Sequence, residues 1–444
     1  MSRLNVVFLV IDSLRAKSLA SFGGKHTPRT PFFDQLDQTT ISFKRAYAAD
    51  CWTLPSHVSM FTGLLPSEHG AHFQTMAYNG SAPTIAEILS NAGYYTEIVT
   101  RNFMFDGTIP GLTRGFQVNT RPVREIGRLD PFALILALNK PRSRRLMKST
   151  GFFHPLHRTN RRFLTEYSRA LLPADELALN HVLEVMESCK KRDVPYFIFC
   201  NLYDVHWPYP PSADSVLREW SSFEGIAQNL AFPIALTRIG SHAYLRPGFK
   251  ISDRSRRVLL HRYHRAVELM DAKLQHFYSE AKSSRFLDDT LLIVTSDHGE
   301  AFGEHGLYLH DGSLYNTHLH VPLWLHHPTR PAGGITEVVS TRDLFLLISQ
   351  VAAEGSLNDT ILEEGYRQRH AVAFAEHFFY PHLKDMLPQY RQNIRATISA
   401  QSKIIVREDG SEVFDLHGDP EEMSPDTSGD DPQAVSFVTQ TELH

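Results

Sequence analysis

The chain has 444 residues, longer than a typical single domain, and this length allows two or three. Hydrophobic residues make up 42% and charged residues 21%, an ordinary globular composition that can bury a large core and excludes a disordered chain. The formal net charge of −4, blurred by 24 His near neutral pH, supplies no global field for nucleic acid or an anionic membrane.

The first apolar run, VVFLVI, ends in Asp12 and is too short for the hydrophobic region of a secretory signal. No stretch approaches the ~18 apolar residues of a membrane span. Three cysteines, Cys51, Cys189 and Cys200, are too few for a disulfide scaffold and suit a reducing compartment. A soluble cytoplasmic protein is expected.

NVVFLVID (5–12) reads as a buried parallel strand with a carboxylate at its C-terminal end. In TLPSHVSMFTG (53–63), Pro55 favours a first helical turn and Gly63 a stop. TIAEILSNAGYYTEIVT (84–100) reads as helix, Gly93 stop and strand. Residues 121–170 are strongly basic, with KPRSRR and RTNRR, and read as an insertion with a solvated face or as a wall that attracts an anion. Residues 174–206 read as an amphipathic helix followed by the strand YFIFCNLY, and residues 207–260 as a second excursion rich in Pro, Ser and aromatics. Another amphipathic helix over 262–284 leads into TLLIVTSD (290–297). Helix and strand alternate, so the expected fold is α/β with a mostly parallel central sheet flanked by helices. Beyond about 330, short alternating runs with a turn at EDGS predict a small antiparallel C-terminal subdomain. The expected division is a catalytic domain over 1–335, this subdomain over 336–425 and a polar tail over 426–444.

Three apolar strands end in reactive groups: Asp12, Asp204 with His206, and Asp297 with His298. Ligand sites of open α/β sheets lie beyond the carboxyl ends of the strands, so these groups are expected to converge. Two carboxylates and an imidazole make a mixed oxygen and nitrogen site that suits Mn²⁺ or Zn²⁺, whereas Ca²⁺ and Mg²⁺ prefer all oxygen. The series His305, His310, His318, His320 adds to the metal reading. Thr53 lies at the predicted helix start, where its hydroxyl can cap the helix or, beside a cation and an anion site, act as a nucleophile. These two roles stay open on the residues alone. His69 is read as a loop support.

The pieces NVVFLVIDSLRAKSL, TPRTPFFDQL, TLPSHVSMFTGLLPSEHG, LYDVHWPYPP, DTLLIVTSDHGEAFGEHG and VFDLHGDPEE, in that order over roughly residues 5 to 423, resemble the sulfatase-like branch of the alkaline phosphatase superfamily. The resemblance implies an α/β sandwich with a smaller C-terminal sheet. It also implies a metal held by Asp12, Asp297 and His298, with Thr53 at the nucleophile position. True sulfatases carry Cys or Ser there, in C/S-x-P-x-R, and oxidise it to formylglycine. Here the motif is Thr53-Leu54-Pro55-Ser56-His57; Cys51 is two residues early, and His57 replaces the Arg. A Thr resembles the nucleophile of the family's phosphodiesterases and phosphoethanolamine or phosphoglycerol transferases. Ser13 stands where many sulfatases have a second Asp, which further disfavours Ca²⁺.

The expected activity is therefore metal-dependent hydrolysis of a small anionic phosphate mono- or diester through a phosphothreonine. Thr53, His206 and His310 are the catalytic candidates, and His57, Asn102, His206 and His310 the substrate-binding ones. Asp204 with His310 leaves room for a second metal. Other readings are a sulfatase without formylglycine, a phosphoryl transferase to an alcohol, and a non-catalytic anion binder. No nucleic-acid or membrane partner is expected.

Overall fold

The run NVVFLVI forms β1 (Asn5–Ile11), buried along nearly its whole length because helices cover both faces of the sheet it belongs to. The structure is a computed structural model that describes residues 3–122, 174–207, 209, 249, 251–310, 312–351, 357–379 and 390–426. Most of the basic segment 121–170, most of the excursion 207–260 and nearly all of the tail 426–444 lie outside the described residues.

Eight strands build the main sheet: β1, β2 (Ile41–Tyr47), β3 (Tyr95–Thr100), β4 (Val118–Thr120), β5 (Tyr196–Leu202), β6 (Thr290–Thr295), and, after a short ribbon of β7 (Ala301–Phe302) and β8 (Tyr308–Leu309), β9 (His320–His326) and β10 (Gly333–Ser340). Their spatial order is β10-β2-β9-β6-β1-β5-β3-β4. β9 runs antiparallel to both neighbours, and the other pairings are parallel. The expected boundary at 335 falls inside β10, which pairs with β2.

Side chains alternate across the sheet, so β1 feeds two cores. Val6, Phe8 and Val10 pack with Leu54, Val58 and Phe61 of the helix Thr53–Thr62 and with Ile85 and Leu89 of Ile85–Asn91. Val7, Leu9 and Ile11 pack with Phe32 and Phe33 of Pro31–Thr39, Val182 and Met186 of Ala174–Arg192, and Met270 and Leu274 of Asp253–Ser283. The last of these helices begins well before 262, because Ser252 caps it by accepting from Ser255 N. Thr84 and Glu87 form a capping box at the Ile85–Asn91 helix, and Gly93 takes a left-handed φ of 87° before β3.

The C-terminal subdomain is an antiparallel sheet of β11 (Ala373–His377), β12 (Ile394–Ile398), β13 (Ser402–Arg407) and β14 (Gly410–Asp415), with the predicted turn between β13 and β14. Lys403 on β13 is wholly buried and pairs with Glu422 at 2.7 Å, while its Nζ donates to Asn316 Oδ1 at 3.0 Å. Asn316 N in turn donates to the same Glu422 carboxylate. This knot fastens the sheet to the main domain. Among the described residues, no helix is long and apolar enough to cross a membrane.

Removing one member of a buried pair leaves an uncompensated charge. Lys403→Met is expected to lower stability by about 3–5 kcal/mol, and Lys403→Met with Glu422→Leu to recover most of it, as read by urea unfolding.

Candidate active site

The site grows from the register of β1 against β6. Asn5 lies opposite Thr290 and Val10 opposite Thr295, so continuing both chains by two residues brings Asp12 beside Asp297. By alternation both carboxylates leave the sheet on the face covered by the Thr53–Thr62 helix. Both are fully buried.

Their oxygens are held by short local contacts. Asp12 accepts from Ser13 Oγ at 3.1 Å and from Asn102 Nδ2 at 3.2 Å. Asp297 Oδ1 accepts from the amides of Ser13 at 3.2 Å and His298 at 3.0 Å. Ser13 adopts a left-handed φ of 65°, and that turn aims its N–H at Asp297. His298 Nδ1 donates to Gly299 O at 3.0 Å, which assigns the proton to Nδ1 and leaves the Nε2 lone pair facing inward. Nε2 lies 3.4 Å from Asp297 Oδ2, 3.8 Å from Asp12 Oδ1 and 3.3 Å from Thr53 Oγ1. Gly299 is required at the next position: a Cβ there would meet the Thr317 carbonyl oxygen at 2.1 Å.

The arrangement fits a divalent cation. Ligand atoms of Asp12, Asp297 and His298 lie within 4.8 Å of one another, and Asp297 Oδ2 is buried without a hydrogen-bond partner among the described residues. Burial, reinforced for Asp12 by Asp297, pushes both carboxyls up to about 7. Burial, with His310 nearby, holds His298 down to about 4 and so neutral. Two buried acids facing a neutral imidazole form a cage that a 2+ ion neutralises.

Thr53 is the first residue of its helix, and Trp52, ahead of it, makes no side-chain cap. The Thr53 hydroxyl faces His298 rather than the backbone, so the capping role is not the one realised. Ser56 Oγ donates to Asp297 O at 2.6 Å and ties this helix to the end of β6. His310 stacks on His298, with ring centroids 4.4 Å apart, and lies 5.1 Å from the His206 ring. His206 donates from Nδ1 to Trp207 O at 2.6 Å and stacks on Tyr203; burial first, then His310, pushes its pKa well down.

Other expected residues land elsewhere. Asp204 is bracketed by cations: one oxygen pairs with Arg101 and the other with Lys273. That engagement removes it from a second metal site with His310. His57 is fully buried, its ring set edge-on against Phe105 and Phe199, and its Nδ1 donates to Thr53 O at 2.7 Å. Burial drives its pKa down to about 3. His57 therefore stands behind Thr53, 3.6 Å from Asp297 Oδ2, and not in the position of a substrate contact. Asn102 orients Asp12. His69 bonds Ser59 Oγ at 3.1 Å and supports its loop. His305 stacks on Tyr315, while His318 and His320 bond the carbonyls of Leu309 and Lys44, so of that series only His310 joins His298.

Glu300 was not among the expected residues. Its Oε1 lies 3.0 Å from His310 Nδ1, and it is fully buried. The available signal was its place in DHGE, next to the strand-end pair.

Residues 4–353 match the profile of the Sulfatase family. The chain belongs to the sulfatase family. It is similar to iduronate 2-sulfatase of Mus musculus, 23% identical over 351 residues, covering 74% of this chain and 60% of that protein. It is also similar to choline-sulfatase of Rhizobium meliloti, 23% identical over 336 residues, covering 73% and 62%. The match thus spans about three fifths of the length of these two curated relatives. In fold it resembles the phosphonate monoester hydrolase of Agrobacterium radiobacter, with a TM-score of 0.68, 19% identity and coverage of 99% of this chain and 95% of that one. Members of the sulfatase family generally use a divalent metal, in keeping with the buried cage.

Groups that orient metal ligands affect affinity without touching the ion. Asn102→Ala is expected to weaken Mn²⁺ or Zn²⁺ binding about 10–100-fold by calorimetric titration, with the fold retained by circular dichroism.

Proposed function

We propose that this protein is a divalent-metal-dependent hydrolase of phosphate esters with Thr53 as its nucleophile. One observation carries the reading: Thr53 Oγ1 turns away from the helix cap and lies 3.3 Å from His298 Nε2, beside two buried carboxylates. Asp12, Asp297 and His298 would hold the cation, of a kind suited to mixed oxygen and nitrogen ligands, Mn²⁺ or Zn²⁺. When bound, it supplies Lewis-acid polarisation and eases ionisation of a neighbouring hydroxyl.

Thr53 Oγ1 gives up its proton to solvent and attacks phosphorus, so a Thr–O–P bond forms as the ester P–O bond breaks. His310, fixed at Nδ1 by Glu300, uses Nε2 to give the departing oxygen its proton, with His206 as the second imidazole at hand. Water then attacks phosphorus and the Thr–O–P bond breaks, a proton from the water passing to the Thr53 oxygen; phosphate leaves when the substrate is a monoester, and a phosphate monoester when it is a diester. Of the first helical turn, the Thr53 and Leu54 amides can add donors for the anionic group, since Pro55 has no N–H and Ser56 N donates to Trp52 O. Three buried free thiols support a reducing, cytoplasmic setting.

The curated relatives named above act on sulfate esters by their names, which keeps a sulfatase as the second reading. Against it stands the Thr: the formylglycine of sulfatases arises from Cys or Ser. The phosphonate monoester hydrolase with a similar fold supports esters of phosphorus. A panel of phosphate monoesters, phosphate diesters, phosphonate monoesters and aryl sulfates separates the two. Phosphorus esters are expected to turn over fastest, and Thr53→Ala to lose at least about 10³-fold in kcat. Faster sulfate turnover, or a fully active Thr53→Ala, contradicts the proposal; phosphorylated product on an added alcohol redirects it to a transferase.

A further inference from the structure

A second buried cluster lies two residues before Thr53. Asp50 and Cys51 sit on the loop between β2 and the Thr53–Thr62 helix, and His377 is the last residue of β11 in the C-terminal sheet. All three are buried, with Cys51 wholly so. His377 Nδ1 lies 3.4 Å from Cys51 Sγ and 2.9 Å from Asp50 Oδ1, and ligand atoms of the three groups lie within 4.8 Å of one another. The backbone fixes this meeting: Glu376 N donates to Ala49 O at 2.9 Å, and Ser67 N to Glu376 Oε2 at 2.8 Å. Phe73 packs edge-on against His377 and stacks on Trp52 at 3.7 Å, an apolar cover over the cluster.

We propose that Asp50, Cys51 and His377 form a structural Zn²⁺ site that clamps the Thr53 loop to the C-terminal sheet. His377 Nδ1, with one hydrogen or one lone pair, faces both Cys51 Sγ and Asp50 Oδ1, and the Cys51 amide donates to the same Asp50 oxygen, so three potential ligand atoms converge on one buried point. A cation at their centre satisfies all three. Zinc bonded at ~2.3 Å to sulfur and ~2.0–2.1 Å to nitrogen or oxygen sets tetrahedral ligand atoms about 3.3–3.6 Å apart; the 3.4 Å between Cys51 Sγ and His377 Nδ1 matches, and the 2.9 Å between Nδ1 and Asp50 Oδ1 opens by a few tenths of an ångström to admit the ion. A thiolate and a carboxylate balance the 2+ charge, so the buried site is neutral overall. The sulfur and imidazole donors select Zn²⁺ over Ca²⁺ or Mg²⁺. The cluster shares no residue with the Asp12–Asp297–His298 cage, and the binding free energy of such a site is folding free energy.

Cobalt substitution tests this independently of phosphate chemistry. In the full chain carrying Asp297→Asn, Co²⁺ is expected to bind at one equivalent with the near-ultraviolet charge-transfer band of a thiolate ligand. The band is expected to persist in Cys189→Ala/Cys200→Ala and to vanish, with that equivalent, in Cys51→Ser. No band in the Asp297→Asn chain, or an undiminished band in Cys51→Ser, overturns the proposal. Should Cys51→Ser fail to fold, persistence in Cys189→Ala/Cys200→Ala supports the site, and loss there overturns it.

Discussion

Two carboxylates buried side by side are costly, and the active-site region is organised around that cost. The parallel register of β1 and β6 brings Asp12 and Asp297 level with each other at the strand ends, on the same face. Both are out of water, and their own proximity makes simultaneous ionisation unfavourable. Their compensation comes from the Ser13 and His298 amides, the Asn102 side chain and the inward Nε2 of His298. A divalent cation completes it. The left-handed Ser13 and the side-chain-free Gly299 are the backbone conditions for this convergence, one aiming an N–H and the other admitting the Thr317 carbonyl.

The helix that follows β2 brings the reactive hydroxyl to the same place. It is buried on every side, so its position is set by packing against the sheet and by Ser56 bonding the Asp297 carbonyl. His57 braces the first turn from behind, neutral inside an aromatic pocket. The loop ahead of the helix reaches the C-terminal sheet through Asp50, Cys51 and His377. The small subdomain is thereby linked to the nucleophile position, and the buried Lys403–Glu422 pair holds it from another side.

Much of this could be read from the residues in order. Parallel strands buried on both faces appear as unbroken apolar runs, so NVVFLVID and TLLIVTSD announced both the sheet and the acids at its edge. The alternating runs and EDGS turn likewise marked the C-terminal hairpin. Long-range pairings left no such trace. Arg101 and Lys273 reach Asp204 from distant parts of the chain, and nothing in LYDVH signals that both its oxygens are taken. His57 occupies a motif position that suggests substrate contact, yet Phe61 one turn along its own helix and Phe105 and Phe199 from two other elements enclose it. Cys51 looked out of register for catalysis, and its partner His377 lies in another sheet.

The stereochemistry of transfer at phosphorus tests the role of Thr53 most directly. A phosphorothioate ester made chiral with oxygen isotopes is hydrolysed in labelled water, and the configuration of the released thiophosphate is read by phosphorus NMR. Each in-line displacement inverts the centre. Attack by Thr53 followed by attack of water predicts net retention; net inversion, the mark of a single displacement by water, contradicts a covalent threonine intermediate.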